Sequence, residues 1–184
     1  FLHNAGFLLG AYKHISEADQ EQLKIDLVSE EAVETSAIEG EFLDRASVQS
    51  SLRRNFGLVN DNKRIPPSEQ GISYIMVDLY KNFAKPLTHE ILFDWHLNLM
   101  NARPDLNFIG SYRQHADPMQ IISGAGAKMK IHYEAPASKY ISEEMGRYMQ
   151  WFNTAADLPI LTKAGIAHLY FELIHPFEDG NGRI

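Results

Sequence analysis

His175-Pro176-Phe177-Glu178-Asp179-Gly180-Asn181-Gly182-Arg183-Ile184 is the stretch from which the rest of this 184-residue chain is best read. Before it runs an apolar pattern of helical spacing, with Pro159 as its start and Ile166, Leu169, Tyr170 and Leu173 set inward. Pro176 then ends the helix, so a helix delivers His175 to a loop. An imidazole titrates near neutral pH and can take a proton from an attacking hydroxyl, which makes His175 the candidate general base. Asp179 offers the hard carboxylate oxygens by which Mg²⁺ is held alongside substrate phosphates. Gly180 and Gly182 lack Cβ atoms, so their backbone can turn sharply and bring N–H groups close to an anion. Asn181 adds an amide donor and Arg183 a planar charged fork suited to phosphate oxygens. Together they read as a metal-assisted phosphate site with a base beside it.

Two blander readings compete with this one. Asp-Gly-Asn-Gly is also what an ordinary polar turn uses after a helix. A Ca²⁺ loop is set aside, because no further acids at alternate positions and no closing Glu follow.

At every specified position, His175 to Arg183 resembles the signature of the Fic family, His-Pro-Phe-x-Asp/Glu-Gly-Asn-Gly-Arg. The resemblance implies a mostly α-helical domain with a small β-hairpin flap next to the active-site loop. It implies a protein adenylyltransferase that moves AMP from ATP to a Ser, Thr or Tyr hydroxyl of a target protein, with Mg²⁺ as cofactor. By the same resemblance His175 is the base, Asp179 the metal ligand, Asn181 and Arg183 phosphate ligands, the Gly180 and Gly182 backbone the anion cradle, and Phe177 a buried pin. Relatives that transfer a phosphate carry Lys where Gly182 stands, so nucleotidyl transfer is favoured. Thr35-Ser36-Ala37-Ile38-Glu39-Gly40 resembles the family's N-terminal inhibitory motif, Ser/Thr-x-x-x-Glu-Gly/Asn, which marks the second class. There Glu39 competes with phosphate for a second arginine at about position 186, so the sequence is read as part of a longer protein, one Fic-like domain over 1–184 incomplete at its C-terminal end. The similarity covers nearly all of Val28 to Ile184, including Gly110-x-Tyr112-Arg113 and Ala167-His168-x-x-Phe171-Glu172. Two other outputs stay open: removal of AMP from a modified protein, and a nucleotide-responsive regulatory module with vestigial catalysis. Self-modification and homo-oligomerisation also stay open.

Composition sets the background. A hydrophobic content of 45% suits one substantial core. Seventeen basic against 24 acidic residues give −7, which argues against broad nucleic-acid binding by this portion. The absence of cysteine excludes disulfides and thiolate metal sites and suits a cytoplasmic protein. No apolar run approaches the roughly 20 residues that span a bilayer. Phe1 to Ala11 is apolar but has no basic leader, and reads as a packed strand or helix.

Helical spacing recurs along the chain. Asp44 caps a helix bearing Val48, Leu52 and Phe56, which Gly57 stops. Ser68 opens one in which Ile72, Ile75, Met76, Leu79, Tyr80 and Phe83 follow the amphipathic template until Pro86. Thr88 caps the next, with Leu92, Trp95 and Leu99 inward, and Ser138 caps another, with Ile141, Met145, Tyr148, Met149 and Phe152. Asn60 to Pro67 reads as a polar loop. Met119 to Tyr133 breaks the pattern and reads as a hairpin around Ser123-Gly124-Ala125-Gly126. It sits where the family carries its flap; there the resemblance implies that Ile121, Ile122, Met129 and Ile131 receive a target segment as an added strand. His168 lies two turns before His175 and reads as a buried, hydrogen-bonded histidine, while His115 and His132 read as surface or structural residues.

Overall fold

Short polar side chains, Ser16, Asp44 and Thr88, decide where three of the described helices begin. The computed structural model describes residues 2–58, 64–124 and 128–184, with side chains from residue 5 onward. Among these it contains seven α-helices and one two-stranded antiparallel sheet, the mostly helical fold that the sequence predicts. The chain divides into two compact units, Phe1–Val77 and Asp78–Ile184.

In the first unit α1 spans Leu2–Tyr12 and α2 spans Glu17–Ile38, the latter capped by Ser16, whose hydroxyl accepts the Asp19 N–H at 3.2 Å. The stretch read as a packed strand or helix is a helix, but it is not packed along its length: Phe7 is 81% exposed. The buried face of α2 is Ile25, Ser29, Ala32 and Ser36, small residues at helical spacing that let the backbone of α3 (Arg45–Asn55) come close. Asp44 caps α3 through the Ser47 N–H at 2.8 Å, Val48 and Leu52 are fully buried, and Gly57 at φ 80° stops it. Helix α4 runs Pro67–Asn82, one residue earlier than Ser68, because proline at a first helical position gives up an N–H that has no helical partner anyway. Buried Glu69 accepts the Asp44 N–H at 3.2 Å and the Ser68 hydroxyl at 3.1 Å, tying the start of α4 to that of α3. Of the loop expected at Asn60 to Pro67, residues 59–63 lie outside the described set.

The second unit holds α5 (His89–Met100), β1 (Gln120–Ser123), β2 (Lys130–Glu134), α6 (Ile141–Thr154) and α7 (Ile160–Ile174). Thr88 caps α5 as expected, and Leu92, Trp95 and Leu99 are buried. Ser138 is not a cap: a 3₁₀ turn precedes α6, and the Ser138 hydroxyl instead donates to the His115 carbonyl at 2.6 Å. Ile141, Met145, Tyr148 and Met149 face inward from α6, and Phe152 is half-buried. Helix α7 buries Ala167, Phe171 and Ile174, one position round from the predicted face. Ile166 and Leu169 are exposed, because both sides of this helix are apolar and periodicity alone does not choose between them. Leu79 and Phe83 are likewise exposed, and they line an apolar cavity of about 330 Å³ with Trp95, Tyr148, Phe171 and Ile184. His168, expected to be buried, is an exposed residue on the wall of the same cavity.

The hairpin pairs Ile121 with Tyr133 and Ile122 with Ile131, with a bulge between Ile121 and Ile122. Its tip at 125–127 lies outside the described residues. Tyr133 donates its hydroxyl to the Leu173 carbonyl at 2.7 Å, which anchors β2 beside the last turn of α7.

Candidate functional site

Helix α7 ends at Ile174, and His175 takes the left-handed conformation, φ 50° and ψ 61°, the one non-glycine residue with positive φ among the described residues. That backbone costs an L-residue about 1–2 kcal/mol and needs outside support. Arg113 supplies it. Its Nε donates to the His175 carbonyl at 2.7 Å, its backbone N–H to the Pro176 carbonyl at 2.9 Å, Nη1 to Ser138 Oγ at 2.9 Å and Nη2 to the Pro136 carbonyl at 2.6 Å. This buried guanidinium therefore binds the loop after α7 to the segment between β2 and α6. Burial lowers the basicity of the His175 imidazole, the Glu172 carboxylate raises it and the Arg113 cation lowers it again, for a net shift downward. His175 is thus a neutral proton acceptor at neutral pH. Its Nδ1 lies 3.7 Å from Glu172 Oε2, which leaves Nε2 for chemistry.

Phe177 is fully buried, as the resemblance implies, and stacks on the buried His96 ring at 4.1 Å and 7°. His96 was not singled out by the sequence. The Gly110 N–H donates to its Nδ1 at 2.9 Å, so the ring proton sits on Nε2 and donates to the Asp179 carbonyl at 3.1 Å. Burial depresses its basicity despite nearby Asp179 and Glu178. Glu178, the unspecified position of the motif, fastens the loop as well, since its Oε2 accepts the N–H groups of Asn107 and Phe108 at 2.8 and 3.0 Å. Burial raises the Glu178 pKa, but the hydrogen bonds from Asn107 and Phe108 that hold its anionic form together outweigh it, for a net shift downward.

Inside the loop, the Asn181 amide pins Phe177 from both sides, accepting its N–H at 2.9 Å and donating to its carbonyl at 3.0 Å. Gly180 has φ 82°, and a Cβ there would fall on the Met100 methyl, so only glycine fits without strain. Asn181 to Arg183 form one 3₁₀ turn that buries the Arg183 guanidinium, with Nη2 3.8 Å from Asp179 Oδ1. The Asp179 carboxylate is half-exposed; Oδ1 accepts the Gly180 N–H at 2.6 Å and Oδ2 faces Arg103 Nη1 at 2.7 Å. Among the described residues no group of three His, Asp or Glu side chains could hold a metal ion by itself. Arg103 was also missed, since an arginine in a polar loop carries no sequence signal.

The structure thus brings His175, Asp179, Gly180, Asn181, Gly182 and Arg183 into one loop. Ile121, Ile122 and Ile131 are exposed on the hairpin, and exposed Met129 lies just before β2. Thr35, Glu39 and Gly40 belong to the first unit: Thr35 is in the last turn of α2, Glu39 is its exposed C-cap and Gly40 turns away at φ 81°. No helix among the described residues is long and apolar enough to cross a membrane.

Residues 1–58 match the model of a domain of unknown function, DUF4172, and residues 86–184 match that of the Fic/DOC family. Protein adenylyltransferase fic-1 of Caenorhabditis elegans is 33% identical over 72 residues, and that of Caenorhabditis briggsae 31%. Each match covers 38% of this chain and 14% of the relative. The fold is shared with a Fic family protein from Desulfovibrio desulfuricans G20, with a TM-score of 0.62 and 24% identity over 99% of this chain and 52% of that one. It is shared too with a Fic domain containing signaling protein from Bacteroides thetaiotaomicron VPI-5482, with a TM-score of 0.65 and 18% identity over 95% of this chain and 65% of that one. With more than half of its residues matched by that family model, and with the motif loop held as described, this chain belongs to the Fic/DOC family.

Proposed function

We propose that the chain is the catalytic portion of a protein adenylyltransferase, working in the cytoplasm, that transfers AMP from ATP to a hydroxyl side chain of a target protein. The observation that carries this reading is a neutral histidine, clamped in a left-handed turn by Arg113, at the head of a glycine loop bearing a buried arginine and a half-exposed aspartate. His175 Nε2 takes the proton of the target hydroxyl as its oxygen attacks the α-phosphorus, and the bond to the bridging oxygen breaks to release pyrophosphate. Loop N–H groups and Arg183 stabilise the charge that develops on the phosphate oxygens, within the shape that Asn181 imposes. Mg²⁺ would be held there by Asp179, a half-exposed hard carboxylate whose Oδ2 faces Arg103, with substrate phosphates and water completing such a shell. When bound, the ion would neutralise phosphate charge. Ile121, Ile122, Met129 and Ile131 form the proposed docking flap, where an extended target segment pairs with the hairpin edge. Glu39, at the end of α2 with Thr35 and Gly40, is the proposed inhibitory carboxylate.

The test is incubation of the protein and its Glu39→Gly variant with ATP labelled on the α-phosphate, read by intact mass and label transfer. Label should rise in Glu39→Gly and fall about 10²- to 10⁴-fold in His175→Ala. Unchanged labelling in His175→Ala would remove it as the base, and no rise in Glu39→Gly would remove the inhibitory role.

A further inference from the structure

Arg103 is built to point at Asp179. Asp105 grips one edge of its guanidinium, with Oδ1 accepting from Nε at 2.9 Å and Oδ2 from Nη2 at 2.8 Å, so that Nη1 meets Asp179 Oδ2 at 2.7 Å. This two-point grip orients the planar cation in a way an isolated surface pair does not. The segment that carries it is tied to the motif loop a second time, where Glu178 accepts the backbone N–H groups of Asn107 and Phe108. Both carboxylate oxygens of Asp179 are therefore engaged, Oδ1 by the Gly180 N–H and Oδ2 by Arg103. A divalent cation that takes Oδ2 has to displace a guanidinium already held there by its own partner.

We propose that Arg103 is a positioning residue that occupies Oδ2 of Asp179 and competes with the divalent cation, so that the Asp105–Arg103–Asp179 chain sets the cation affinity of the site. The inference rests on the reading of Asp179 as the metal ligand. Removing the fixed positive charge should tighten cation binding, whereas mere damage to the loop would weaken it. The sign of the effect separates the two.

The experiment is electron paramagnetic resonance titration of Mn²⁺ into the full chain, with a non-hydrolysable ATP analogue in excess of its own dissociation constant, measured for each variant. Arg103→Gln should bind Mn²⁺ about three- to tenfold more tightly than the parent chain, the scale of a half-exposed charge at this range. Arg103→Lys, which keeps the charge but loses the fork, should fall between them. Equal or weaker Mn²⁺ binding in Arg103→Gln, while Asp179→Asn abolishes binding in the parent, would overturn the competition and leave the metal ligand standing. Mn²⁺ binding that Asp179→Asn leaves unchanged would overturn the metal reading and this inference with it.

Discussion

Replacing Arg113 with Met is the sharpest probe of how this site is held. The substitution keeps most of the apolar stem of a fully buried side chain and removes three side-chain donors, those to the His175 carbonyl, Ser138 Oγ and the Pro136 carbonyl. Hydrogen bonds from a charged donor contribute about 1.5–3 kcal/mol each, and removing the cation returns several kcal/mol of desolvation cost. The net loss is about 3–5 kcal/mol, because the His175 and Pro136 carbonyls lose their donor while Ser138 keeps only its bond to the His115 carbonyl. For a chain of this length that lowers Tm by roughly 6–20 °C. Urea unfolding at pH 7.5, followed by circular dichroism, measures the loss, and hydrogen exchange at the His175 amide reports whether the left-handed turn opens first. A loss below about 1 kcal/mol with unchanged exchange at His175 would refute the clamp.

Buried His96 offers a second test: His96→Phe retains the stack on Phe177 but leaves the Gly110 N–H and the Asp179 carbonyl unpaired, for an expected cost of about 2 kcal/mol or more in urea unfolding. Stability should also fall on acidification. Both His96 and His175 have depressed pKa values, so around the ordinary value near 6.5 the unfolded chain binds more protons than the folded one. Their contribution is present above that value and is lost as pH falls through it towards the folded-state values; a urea midpoint at pH 5.5 equal to that at pH 7.5 would contradict the assignment. Gly180→Ala, forced to φ 82° against Met100, should weaken nucleotide-analogue binding about tenfold in calorimetry, about 1.4 kcal/mol.

How legible the fold was depended on local rules. Asp44, Thr88 and Gly57 act where they stand because capping and left-handed stops involve only the next few residues. Ser138 misled because its hydroxyl bonds the distant His115 carbonyl, a partner no window of sequence reveals. Ile166 and Leu169 misled because α7 is apolar on more than one side, and only its neighbours select the face that packs. In the site, each motif residue alone reads as part of a polar turn; only their order in one string pointed to a site, and the buried Phe177 follows from it. Arg113 was noted only as flanking similarity, and the parts of His96, Glu178 and Arg103 went unseen, since each acts across 62 to 83 positions of chain.

The sequence by itself determined the helical class, the hairpin and the membership of the loop, because helix periodicity, turn chemistry and a nine-residue motif are local in the chain. Tertiary structure alone decided that His175 is neutral and left-handed, that the Asn181 amide faces Phe177, and that Arg103 covers Asp179. Protonation, backbone strain and ion pairing depend on what is packed within a few ångströms, and those neighbours come from parts of the chain that only folding brings together.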